Sequence, residues 1–235
     1  MSFSKKKFFF FFFLIIYSFG IKAESFSKDS YDLIIHEAMD KLDEFNEKEL
    51  VDLLWSFSVF SFEDHKTLKP FIQKIEKKFE GFSLSDITRI LHSITKLNYD
   101  SEVLYEKGAH ALINKMDRLS LKEIETLIYC YSHYQKVDLK FIDQLFDAVF
   151  NNAEKFSDRE LMNIFLNCSD FSLPIKKVYR EFVPIWLTRL GSLKEDQLLA
   201  VLKIYKKKAP YEKSLFEEIA QESLKRLKTA DTNFI

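Results

Sequence analysis

The chain has 235 residues, 47% of them apolar, with 35 basic and 36 acidic side chains, four glycines and four prolines. So few Gly and Pro exclude a turn-rich sheet protein and point to an all-helical one. A net charge of −1 excludes the strongly basic balance of a nonspecific nucleic-acid binder.

The chain opens with Lys5, Lys6 and Lys7, then an apolar stretch from Phe8 to Ile21 with small residues at Ser18, Gly20 and Ala23. Residues 1–23 therefore read as a targeting or signal-like segment. The apolar stretch falls short of the roughly 20 residues of a comfortable membrane span. Three readings stand: a cleaved secretory signal, a mitochondrial targeting segment and an uncleaved anchor. The segment alone favours the first. Without it, 31 basic side chains face 36 acidic ones.

Beyond it, apolar residues recur every 37 positions. Leu50, Ile87, Ile124, Leu161 and Leu198 form one column, and Leu54, Leu91, Ile128, Phe165 and Leu202 a second. Helix-starting residues share the period at Asn46, Ser83, Ser120 and Ser157, with an acid three residues on at Glu49, Asp86, Glu123 and Glu160. That is the capping box, and Phe45, Phe82, Leu119 and Phe156 precede it as hydrophobic staples. In the fifth unit the box is expected two residues early, at Ser192 with Glu195. Second helices repeat from Ala38 through Ile75, Leu112, Val149 and Trp186 to Ser223.

Residues 28–44 are thus predicted as a lone capping helix. Two-helix units follow at roughly 46–79, 83–116, 120–153, 157–190 and 194–228. The fold class is all-α: an α-solenoid of about five 37-residue two-helix repeats plus an N-terminal capping helix, with 28–228 as a single repeat domain. Short connections make neighbouring helices antiparallel. Pro174 suits a helix start, and Pro184 is expected to kink the fourth second helix.

The five histidines include no i, i+3 or i, i+4 pair of metal ligands, and no phosphate loop or nucleophile elbow is present. The chain reads as non-enzymatic, with no cofactor, metal or small-molecule substrate. Cys168 occupies a core column with Phe57, Ile94 and Tyr131. Neighbouring helices lie about 8–10 Å apart, too far for a disulfide with Cys130.

The segments Phe82–Ser93 and Phe156–Phe165, reading polar-x-x-acid-apolar-x-x-apolar-apolar, resemble the heptatricopeptide repeat and are similar to octotricopeptide repeats. The resemblance covers residues 28–228. It implies an organellar, mostly mitochondrial, protein that binds single-stranded RNA or belongs to a ribonucleoprotein or ribosome-associated assembly.

Binding candidates come from first-helix columns that vary among polar types. One contains Asp52, Arg89, Thr126 and Asn163, and another Lys96, His133 and Lys207. Trp55, His92 and Tyr129 share a third column and offer stacking surfaces. The bland reading of the same columns is a solvated face with aromatics packed between units. Lysine-rich stretches at Lys66–Lys78 and around Lys203–Lys208 with Lys225, Arg226 and Lys228 are candidate phosphate contacts or solvated faces. The rival to RNA is a protein partner held in the concave face, in an organelle or, from the signal-like leader, in the secretory pathway.

Overall fold

The computed structural model describes residues 39–232 apart from 41, 60, 61, 63, 137 and 172–175, with side chains as far as Lys228. The leader, Pro174 and most of the expected helix at 28–44 lie outside the described residues. Near its end, Met39 and Asp40 are helical, and a 3-10 turn at Leu42–Glu44 leads into the first pair.

Ten α-helices follow in five pairs: α1 Glu47–Val59 and α2 His65–Lys77; α3 Leu84–Lys96 and α4 Glu102–Leu112; α5 Leu121–Tyr134 and α6 Leu139–Asn151; α7 Asp158–Cys168 and α8 Lys176–Arg189; α9 Glu195–Lys208 and α10 Lys213–Thr232. No strand occurs among the described residues. The odd-numbered helices are the first helices of the sequence repeat. The chain divides into two compact units, Met1–Leu112 and Ile113–Ile235.

In the first unit α1 packs beside α3, and α3 against α4. In the second, α5 packs on α6 and α7, α7 beside α9, and α8 against α6, α9 and α10. Like helices thus lie beside like within each unit, which is the packing of a helical solenoid.

The caps set the register. Ser83, Ser120 and Ser157 each accept from the backbone N–H three residues on, while Asp86, Glu123 and Glu160 accept from the cap N–H. Asn46 and Glu49 exchange the same two bonds at 2.8 and 2.9 Å. The fifth cap differs from the sequence expectation. Helix α9 starts at Glu195, and Lys194 N–H donates to Gln197 Oε1 at 2.8 Å. Lys194 is in phase with the other caps. Leu193, in the staple column, is buried; a cap at Ser192 would displace it. Ser192 instead donates its hydroxyl to Asp158 Oδ2 at 2.6 Å.

The two apolar columns and their neighbours make the core. Leu50, Leu54 and Phe57 of α1, Ile90, Leu91 and Ile94 of α3, and Leu161, Ile164 and Phe165 of α7 are fully buried. Each such side chain contributes about 1.5–3 kcal/mol of burial. In the second unit Phe165 is a hub: its ring lies 5.2 Å from both Phe182 and Trp186 and stacks 5.4 Å from Tyr205. Cys130 and Cys168 form no disulfide and are fully buried, and α8 continues through an exposed Pro184.

Candidate nucleic-acid interface

The candidate side chains stand on the odd-numbered helices at i, i+3 and i+7, a stripe beside the buried face. In the first unit the stripe brings together five of them. Arg89 Nη2 donates to Asp52 Oδ1 at 2.8 Å, joining α3 to α1. The Trp55 and His92 rings lie 5.3 Å apart, tilted by 40°. The Arg89 guanidinium and Lys96 ammonium each sit 5.9 Å from the centre of the Trp55 ring, within the range of a cation–π attraction. Trp55, Arg89 and His92 are half-buried and Lys96 is exposed. Lys96 is also the last residue of α3, where the helix dipole favours a cation. The result is a cationic aromatic ledge, with an indole to stack on and two cations within one side-chain length of it.

In the second unit the stripe is more self-contained. The Thr126 hydroxyl donates to its own helix at Lys122 O, 2.7 Å away. The His133 ring lies against that of Tyr129, centres 4.4 Å apart and tilted by 55°. Its Nδ1 lies 2.8 Å from the Tyr129 carbonyl, so Nδ1 carries a proton there. Burial pushes the Tyr129 phenol above its ordinary value. Asn163 Nδ2 donates to Glu125 Oε1 at 2.9 Å. Lys207 is exposed near the end of α9, beside Lys206 and Lys208.

Several basic residues singled out from the sequence serve the scaffold. Lys74 bonds Asp43, and Lys78 bonds Glu47 at 2.9 Å. Arg226 bonds Glu222 at 2.7 Å and donates to the carbonyls of Leu193 and Leu190, both at 2.7 Å. Its guanidinium closes the turn before α9, which removes it from the phosphate candidates.

Sequence reasoning missed Glu125, a buried carboxylate that bonds Lys122 at 2.7 Å as well as Asn163. It also missed a recurring clamp. Glu47 with Lys78, and Asp158 with Arg189 at 2.6 Å, join corresponding positions of the first and fourth pairs. Acid and base stand 31 residues apart in both, a signal readable once the period is known. A recess of about 370 Å³ lies along α6, lined by Asn114, Met116, Gln144, Asp147 and Asn151 among others. Gln144 and Asn114 already exchange two 2.8 Å bonds with each other.

Residues 35–230 match the model of a protein family described as RNA-editing substrate-binding complex 8 protein. The chain belongs to that family. The match takes in α1 to α9 whole and α10 through residue 230. No curated protein matches the chain. Membership makes this an RNA-associated helical protein in general terms. The family description carries no heptatricopeptide assignment, and that likeness goes no further than the period and the caps.

Proposed function

We propose that the chain is a non-enzymatic subunit of a mitochondrial ribonucleoprotein that holds single-stranded RNA on the odd-helix face of its first unit. The observation that carries this reading is the Trp55 ledge, where one indole, one imidazole and two cations converge from neighbouring repeats. Single strands are bound by base stacking on aromatic rings together with cations along the backbone. In this reading Trp55 takes the base, Lys96 meets a phosphate, and Asp52 holds Arg89 in place beside the ring. Family membership supports an RNA-associated assembly, and the heptatricopeptide-like repeat supports an organellar one.

The test is fluorescence anisotropy with a labelled single-stranded RNA of about 12 nucleotides. Trp55→Ala should weaken binding by about 5- to 100-fold, the range of one stacked base. Lys96→Glu should weaken it and flatten its salt dependence.

A protein scaffold without RNA contact is the second reading. It is favoured by the bonds Asp52–Arg89 and Glu125–Asn163, which spend polar side chains of the stripe on joining repeats. That reading requires no rise in anisotropy when the wild-type chain is added. Mitochondrial import is checked by imaging a C-terminally tagged chain; accumulation in the secretory pathway would replace that localisation.

A further inference from the structure

The second unit carries its charge unevenly. Each of its even helices has lysine in the first turn: Lys140 in α6, Lys176 and Lys177 in α8, and Lys213 in α10. None of the three has an acid there. A helix start is the positive end of the helix dipole and favours acids, so these lysines weaken the helices that carry them. The odd helices of the unit follow the ordinary rule. They start with Glu123, with Asp158 and Glu160, and with Glu195 and Asp196. Lys206 and Lys207, at the end of α9, suit the dipole. The four lysines at the even-helix starts do not, and helix stability gives no reason for them.

All six of these lysines are exposed and stand on one edge of the unit, where odd helices end and even helices begin. Side-chain bonds draw the corners of that edge together. Gln135 Nε2, just after α5, donates to Asp170 O, just after α7, at 2.9 Å. The Tyr179 hydroxyl, in the first turn of α8, donates to Cys168 O at the end of α7, at 3.2 Å. The Tyr205 hydroxyl, near the end of α9, donates to Tyr179 O at 2.7 Å. Packed helices lie about 8–10 Å apart, so cations recur along the edge at about that interval.

Acids of this edge are engaged by the scaffold. Asp138 caps α6 by accepting from Lys140 N–H at 3.1 Å, and Glu212 stands 3.7 Å from the Arg180 guanidinium. The six lysines form no ion pair among the described residues, not even Lys177 with Glu181 or Lys213 with Glu217 one turn further in. The opposite edge of the unit is different. There Arg118 follows Asp117, Arg159 stands between Asp158 and Glu160, and Arg189 is held by Asp158 at 2.6 Å. One edge is mixed in sign, and the other presents cations whose nearest acids are spent or unpaired with them.

We infer that the lysine edge of the second unit binds the phosphate backbone of RNA, whatever its sequence and whether or not its bases are paired. A lysine holds phosphate as a point charge, and phosphate contacts carry no sequence information. RNA is the polyanion that membership of an RNA-associated family supplies. The edge needs no stacked base, so it is independent of the Trp55 ledge on the first unit.

The test uses the full chain and a labelled RNA duplex of about 16 base pairs, whose paired bases are not free to stack on Trp55. In fluorescence anisotropy at low salt the wild-type chain should bind it. Lys176→Glu with Lys213→Glu should weaken binding by about tenfold or more and reduce the salt slope by about one per lysine. An acid suits both helix starts, so the urea midpoint of this variant should not fall. Lys176→Gln with Lys213→Gln should lie between it and wild type. Arg118→Glu with Arg159→Glu changes the net charge equally on the opposite edge and should bind as wild type does, as should Trp55→Ala. Undiminished binding by the folded lysine variants, equal loss in the opposite-edge variant, loss in Trp55→Ala, or no duplex binding by the wild type would overturn the inference. So would binding to phosphatidylserine vesicles without binding to the duplex, which would assign the edge to a membrane surface.

Discussion

Gln135 holds a φ of 60° where α5 ends, a left-handed conformation that costs an ordinary side chain about 1–2 kcal/mol. Asn98, with a φ of 54°, sits one repeat earlier, so α3 and α5 share the corner, whereas the equivalent Ala209 after α9 has a φ of −144°. Gln135 offsets its strain by donating Nε2 to Asp170 O at 2.9 Å. Gln135→Ala keeps the strain and loses that bond, so it should destabilise by about 1 kcal/mol in urea unfolding. Gln135→Gly relieves the strain and loses the same bond, and should be nearly neutral. Asn98 fits a left-handed corner by residue type, whereas the sequence of Gln135 carried no such signal. The two cysteines are simpler. Burial raises the Cys168 thiol well above its ordinary pKa, and both thiols are inaccessible. Neither should react with iodoacetamide at pH 8 until the chain unfolds; rapid labelling of the native protein would show that the helices open locally.

Helix starts and the clamps behind them carry the element scale. Ser157→Ala removes both the acceptor for Glu160 N–H and the hydroxyl bond to the Glu160 carboxylate, and should cost about 1 kcal/mol. Asp158, one residue on, is held below its ordinary value of 3.8 by the Ser192 hydroxyl first and then by Arg189. A carboxyl lowered on folding adds stability that is full above its unfolded value and is lost as pH falls through its folded one. Asp158→Asn should therefore lower stability at neutral pH, and its gap from wild type should narrow below about pH 4. A gap that stays constant down to acid would mean that the carboxylate charge contributes nothing. Four caps were legible because hydroxyl or amide, acid and staple recur in phase. The fifth was misplaced because Ser192 and Glu195 imitate a capping box. Burial of the Leu193 staple and the pull of Asp158 on the Ser192 hydroxyl decide that start, and both are tertiary.

At the scale of the whole molecule, the 37-residue period carried most of the architecture, since an apolar column repeated five times has few ways to be buried. What it left open is where polar columns spend their bonds. Arg89 and Asp52 occupy one column, and the period alone does not reveal that neighbouring members reach one another. Nor does it reveal that Glu125 is buried beside that column. The same ambiguity divides an RNA-reading ledge from a mutually satisfied seam. A net charge of −1 leaves little long-range attraction for RNA, so affinity should rest on a few local contacts and fall only modestly with salt. Intrinsic fluorescence separates the two readings, because Trp186 is buried in the second unit and Trp55 is half-buried in the ledge. The measurement is a titration of that emission with single-stranded RNA at low and physiological salt. Our account predicts quenching that disappears in Trp55→Phe, weakens in Lys96→Glu and fades as salt rises. Emission that stays constant while RNA binds, or no binding at low salt, would contradict the Trp55 ledge as the RNA site.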